Sequence, residues 1–113
     1  MNIKPDKKFD NFLKVILRLK DLDEARDFFR DVCTISELEE MSDRWEMAKM
    51  IENGTPYRAI AEKLGTSTAT VSRVALWLKN GTGGYRLMLN RLGLNKDSHV
   101  NSSSFAKGLR FNN

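Results

Sequence analysis

The chain has 113 residues, of which 41% are hydrophobic and 30% charged; this is typical of one globular domain and too short for two ordinary ones. The longest apolar run, at 74–78, is far below the ~20 residues that span a bilayer. The start leads into a charged stretch rather than the apolar region of a signal peptide, so a cytoplasmic location is expected. The net charge of +4 permits an anionic partner.

Two helices are predicted from apolar residues that recur near the 3.6-residue period in the first third of the chain. The first covers 6–20, with Asp6 as its N-cap. The second covers 24 to about 33 and is capped by either Asp21 or Asp23. Because both helices have one apolar and one charged face, each is expected to pack against another element.

A third, longer helix is predicted to begin with a capping box. Ser36 is its expected N-cap and Glu39 its third helical residue. Asn53-Gly54 is the expected stop, because glycine readily takes the left-handed conformation that follows a helix. The residues predicted on its apolar face are Leu38, Met41, Trp45, Ala48 and Ile51.

Three shorter helices are predicted at about 56–64, 68–79 and 85–92. The first has a hydroxyl cap at Thr55 and a proline in its first turn, and the second is capped by Ser67. Residues 95–113 are rich in Asn and Ser and predict a disordered tail. The expected architecture is therefore one all-α domain over 1–94, with about six helices.

Residues 57–75 have the pattern of a helix-turn-helix, in which two short helices cross around a tight turn. Small Ala61 allows the helices to approach, and Gly65 supplies the left-handed turn conformation that a side chain would resist. The spacing of the apolar residues predicts a small core that sets the crossing angle. Its expected members are Ile60, Leu64, Val71 and Val74.

The second helix of this unit is predicted to enter the major groove of DNA, with the helix-turn-helix covering about 56–79. Its N-terminal side chains are small, hydroxylated or cationic, so they avoid clashes and can bond base edges or phosphates. Two cations on the preceding helix would lie near the DNA backbone. The predicted DNA-binding residues are Arg58, Lys63, Ser67, Thr68, Ala69, Thr70, Ser72 and Arg73.

The charge distribution supports this location for a DNA-binding surface. Residues 1–54 carry 10 Lys and Arg against 13 Asp and Glu, a net charge of −3, whereas residues 55–113 carry 9 against 2, a net charge of +7. A basic half that contains the helix-turn-helix favours an anionic partner. Two alternatives stay open: a protein-interaction adaptor in a transcription complex without its own DNA specificity, and a polar face that is merely solvated.

No feature of the sequence favours catalysis, a cofactor or a metal. Cys33 and His99 are the only residues of their types, whereas a zinc site needs three or four clustered ligands. The glycine-rich segment 80–84 lacks the preceding strand and the Gly-Lys-Ser/Thr ending of a phosphate-binding loop. We therefore predict a protein that is not an enzyme, with Cys33 as a small buried apolar residue.

Four segments together resemble the Trp repressor family, and more closely its YerC/YecD-type branch, over roughly residues 9–92. They are EEMSDRW at 39–45, IENG at 51–54, RAIAEKLG at 58–65 and ATVSR at 69–73. The resemblance implies a transcriptional regulator, expected to be a repressor. It also implies an intertwined all-α homodimer whose two recognition helices lie about one DNA turn (~34 Å) apart.

The resemblance extends only in part to the co-repressor of that family. There, two arginines sandwich the indole ring of tryptophan, and Arg44 and Arg73 stand at the matching positions. The family has glycine after the second arginine and serine three residues further on, where this chain has Val74 and Trp77. These four residues are the predicted effector pocket, but we do not expect tryptophan to bind. Alternatively, Arg44 is a surface arginine paired with a neighbouring acid such as Asp43.

Overall fold

The computed structural model describes residues 6–95, which contain six α-helices and no β-strand. The all-α prediction is confirmed, and no described helix is both long and apolar enough to cross a membrane. Residues 96–113, which include His99 and almost all of the predicted tail, lie outside the described part. The helices are α1 Lys7–Ile16, α2 Leu22–Val32, α3 Ile35–Glu52, α4 Tyr57–Leu64, α5 Thr68–Asn80 and α6 Gly84–Arg91.

The first helix is shorter than predicted because the chain turns before the next helix begins. Asp6 caps α1 as expected, its side chain accepting from the Lys8 amide at 3.1 Å. Asp21, rather than Asp23, caps α2 and accepts from the Glu24 amide at 2.8 Å. The Glu24 carboxylate in turn accepts from the Lys20 amide at 2.9 Å. The Lys20 amide therefore cannot donate within a longer α1. With Asp21 as its cap, α2 starts at Leu22, two residues earlier than predicted.

The capping box of α3 is real but lies two residues earlier than predicted. Thr34 Oγ1 accepts from the Glu37 amide at 3.1 Å, and the Glu37 carboxylate accepts from the Thr34 amide at 2.8 Å. Ser36 is therefore already inside the helix. Cys33, which precedes the box, is extended and only half-buried, so the prediction that it is buried was wrong.

The predicted hydroxyl cap of α4 is not formed. Pro56 is the N-cap residue and makes no side-chain capping bond. Thr55 instead closes α3: its amide donates to the Met50 carbonyl at 3.0 Å, just after Gly54 takes a φ of +85°. This is the hydrogen bond that commonly ends a helix at a left-handed glycine, so the stop predicted at Asn53-Gly54 is confirmed. The last helix, α6, starts one residue earlier than predicted and ends one residue earlier.

The described residues form two compact units, which divide between Ser42 and Asp43. The buried cluster of the second unit, here called the core cluster, draws two residues from each of α3, α4 and α5. Three of the four residues predicted for the helix-turn-helix core belong to it, and the fourth, Leu64, packs against it. The core cluster is Met47, Ala48, Ile60, Ala61, Val71 and Val74.

The first unit leaves much of its apolar surface uncovered. No residue of α1 or α2 is buried. Aromatic contacts join its helices: the rings of Phe12 and Phe28 stack with centroids 6.0 Å apart, and Phe29 meets Phe28 edge to face at 5.8 Å. By contrast, Leu17 is 80% exposed and Leu22 71% exposed. Exposed apolar surface of this extent is typical of a protein–protein contact.

The capping of α3 gives a testable prediction. Thr34→Ala removes the hydroxyl that accepts from the Glu37 amide, and we expect a loss of about 1 kcal/mol of unfolding free energy. Ser36→Ala is the matched control, and it should be neutral because Ser36 lies in the helix. Urea unfolding followed by circular dichroism at a fixed protein concentration measures both. A larger loss for Ser36→Ala than for Thr34→Ala would contradict the assigned cap.

Candidate nucleic-acid interface

The turn between α4 and α5 is closed by backbone hydrogen bonds. Gly65 adopts the left-handed conformation, with a φ of +67°. Its amide donates to the Glu62 carbonyl at 3.4 Å, and the Thr66 amide donates to the Ala61 carbonyl at 2.9 Å. This pair of bonds is the Schellman motif, which ends a helix within one residue. Only three residues therefore separate the two helices, as a helix-turn-helix requires.

The start of α5 is held by its own hydroxyl groups. Ser67 Oγ accepts from the Thr70 amide at 3.2 Å and lies 3.1 Å from Thr70 Oγ1. The capping role predicted for Ser67 is thus confirmed. Thr70 is half-buried and engaged in this cap, so among the predicted DNA-binding residues it is the one whose side chain is not exposed.

The second helix of the pair, α5, has two faces with opposite character. Val71, Val74, Ala75 and Leu78 are buried, at the i, i+3, i+4 and i+7 positions that make one stripe of a helix. The opposite face, at its N-terminal end, is exposed and consists of Thr68, Ala69, Ser72 and Arg73.

The helix-turn-helix also carries exposed cations outside this face. Arg58 and Lys63 on α4 are both exposed, whereas Ile60 and Ala61 of the same helix are buried in the core cluster. Residues 55–95 carry six Lys and Arg but only one acid, Glu62. A surface with this balance attracts a polyanion.

Comparison with known proteins identifies the family. The model of the Trp repressor protein family matches residues 7–93. The chain belongs to the Trp repressor family. The match covers all six helices, and it makes this protein a DNA-binding helix-turn-helix regulator by family, in a family of regulators rather than enzymes.

Similar proteins are consistent with this assignment. The chain is 41% identical to the uncharacterized protein YerC of Bacillus subtilis over 98 residues, which are 87% of this chain and 91% of that protein. A TrpR-like protein from Eubacterium eligens is 48% identical, with a TM-score of 0.76 over 80% of this chain and 94% of its own. A candidate Trp repressor from Staphylococcus aureus is 36% identical, with a TM-score of 0.75 over 80% and 91%.

The four residues of the predicted effector pocket have different environments in this member of the Trp repressor family. Val74 is only 3% exposed and belongs to the core cluster, whereas Arg73 is exposed and Trp77 is 39% exposed. Arg44 is also exposed, and its charge acts on Tyr85 of α6. Burial raises the pKa of the Tyr85 hydroxyl, and the positive charge of Arg44 opposes that rise.

Two contacts made by α6 could not be predicted from the sequence. Tyr85 packs against the core cluster from α6. Glu52, the last residue of α3, accepts a hydrogen bond from Arg86 of α6 at 2.7 Å. Because 34 residues separate these two partners, no helical periodicity relates them, and only the folded chain brings them together.

Proposed function

We propose that this protein is a sequence-specific DNA-binding transcriptional regulator, and more narrowly a repressor, that reads the major groove as a homodimer. The observation that carries the proposal is the exposed N-terminal face of α5, on which small and hydroxylated side chains are followed by Arg73. Bulky residues there would hinder entry into a groove about 12 Å wide, whereas hydroxyls and methyl groups can contact base edges.

The remaining predicted residues have positions that suit phosphate contacts. Arg58 and Lys63 extend from α4, the helix that in this motif crosses the DNA backbone. The first backbone amides of α5 point out of its N-terminus. Such amides, together with the helix dipole, attract phosphate. In this arrangement, the cations and amides position the protein while the α5 face selects the sequence.

The homodimer is supported by the apolar surface of the first unit. Phe9, Leu13, Val15, Leu17 and Leu22 are between 38% and 80% exposed, and these side chains need cover that the described residues of one chain do not supply. A second copy presents the same surface, as a two-fold symmetric interface requires. Two recognition helices would then bind two half-sites in one palindromic operator.

Free tryptophan is not the effector in this proposal. The Val74 side chain is packed in the core cluster directly after Arg73, so a pocket beside Arg73 loses the space that a glycine would leave. The charge of Arg44 acts on the Tyr85 hydroxyl, whose pKa burial raises and Arg44 lowers, so this arginine already has an interaction within the chain. The effector, if one acts on this protein, is of another kind.

Selection of DNA from a random pool tests the proposed function. We expect enrichment of a palindromic sequence with half-sites about one helical turn apart, because a two-fold dimer presents two identical recognition helices. Enrichment of a single, non-repeated half-site would contradict the dimeric arrangement. No enrichment at all would favour the adaptor over the DNA-binding regulator.

The role of Arg73 can be tested on the selected DNA. Arg73→Ala should weaken binding and reduce the slope of log K against log salt by about 0.9 if one phosphate contact is lost. Lys79→Ala is the matched control: Lys79 is exposed on the same helix, about 9 Å further from its N-terminus, and its loss should leave the slope unchanged. Equal slopes for the two variants would count against the assigned interface.

Calorimetric titration with L-tryptophan tests the effector proposal. We expect no binding in the micromolar range and the same DNA affinity with and without the amino acid. The double variant Val74→Gly, Trp77→Ser opens the space and is the comparison protein. Micromolar binding of tryptophan to the unaltered chain would overturn the proposal.

A further inference from the structure

An ion pair joins the two helices that flank the helix-turn-helix. Glu52 ends α3, and Arg86 is the third residue of α6, so α4, the turn and α5 all lie between them along the chain. Arg86 Nη1 is 2.7 Å from Glu52 Oε2. The contact therefore closes the segment that contains the candidate DNA-binding surface.

The carboxylate of this pair is far more buried than the carboxylates of the ion pairs Arg26–Asp23 within α2 and Lys49–Glu46 within α3. The Glu52 side chain is only 9% exposed and that of Arg86 is 41% exposed. By comparison, the side chains of Arg26 and Asp23, which pair within α2, are 52% and 87% exposed. Exposed pairs contribute little because water competes with them. A carboxylate largely removed from water depends strongly on its cation, since it has lost most of its hydration.

The two helices joined by this pair also contact the core cluster. From α3, Met47 and Ala48 are part of it, and from α6, Tyr85 packs against it. In addition, α5 packs against both α4 and α6. A change in the position of α6 would therefore be transmitted to α5, because packed side chains leave little free space between helices.

We infer that Glu52 and Arg86 are positioning residues for DNA binding: their ion pair holds α3 and α6 together and thereby sets how α5 is presented, without either side chain contacting DNA. This inference rests on the proposed function. It assigns to Arg86 a role different from that of the exposed cations, although all of them belong to the same basic segment.

The direction in which one substitution changes the DNA affinity distinguishes this role from simple charge attraction. Glu52→Gln removes a negative charge, so attraction to a polyanion alone would tighten DNA binding. If Glu52 positions α6, the same change weakens binding because the contact between Glu52 and Arg86 loses its negative charge. Glu62→Gln is the matched control, since it removes the same charge from an exposed position on α4.

The experiment measures binding of the full chain to the DNA selected above, over a series of salt concentrations. Glu52→Gln is expected to weaken binding about tenfold, whereas Glu62→Gln should leave it unchanged or tighter. Titration at high DNA concentration gives the fraction of active protein. Positioning predicts a full active fraction with a higher Kd, whereas partial unfolding predicts a lower active fraction with the same Kd.

Substitutions of Arg86 complete the test. Arg86→Gln should weaken binding without changing the salt slope, Arg86→Lys should restore most of the affinity, and the double variant with Glu52→Gln should be no weaker than either single variant. If Glu52→Gln does not fold, judged by circular dichroism, Arg86→Gln decides the question because Arg86 is more exposed.

Three results would overturn the inference. The first is tighter or unchanged binding by Glu52→Gln. The second is a salt slope that falls by about 0.9 in Arg86→Gln, which would make Arg86 a phosphate contact. The third is a lower active fraction with an unchanged Kd. A failure of the unaltered chain to select any DNA is a different outcome, because it removes the proposed function itself.

Discussion

The fold of the second unit depends on a small core that fixes the crossing of α4 and α5. Ile60 and Val71 are both fully buried there, and Ala61 is small enough to let the two helices approach. The turn is only three residues long, so the crossing angle follows from these contacts and from the left-handed conformation of Gly65. Because this core buries one face of α5, it also determines which residues of α5 face solvent.

The two units differ in their charge and in how far they bury their apolar side chains. The first carries an excess of acid and an apolar surface that its own helices leave exposed, which suits contact with another protein chain. The second is basic, has a buried core and presents a small polar face. The overall charge of +4 therefore understates the basic character of the half that contains the helix-turn-helix, because the acidic first half offsets it.

Polar contacts have different roles at different burial. Most of the described ones, such as the caps at Asp6, Asp21 and Ser67, are local and exposed, and they determine where a helix begins. The Glu52–Arg86 pair is long-range and largely removed from water on the Glu52 side. Glu52 lies just before the helix-turn-helix and Arg86 lies after it. For this reason we connect their ion pair to the presentation of α5 rather than to stability alone.

Helix type and order could be read from the sequence because the apolar period, the glycine stops and the capping residues are local signals. The same local signals were ambiguous at the start of α3, where Thr34 with Glu37 and Ser36 with Glu39 both have the spacing of a capping box. The structure forms the pair at Thr34, directly after the extended Cys33. The hydroxyl of Thr55 was misassigned for a related reason, since its residue serves the end of α3 rather than the start of α4.

The sequence by itself determined the all-α class, the position of the helix-turn-helix and most of its core, because these follow from spacing within 4 to 10 residues. Only the tertiary structure decided that Thr70 is engaged in a cap, that Tyr85 packs against the core cluster, and that Glu52 meets Arg86. The last two depend on residues from different helices meeting in space. No periodicity specifies such contacts, since they arise only after the core has set the helices at their angles.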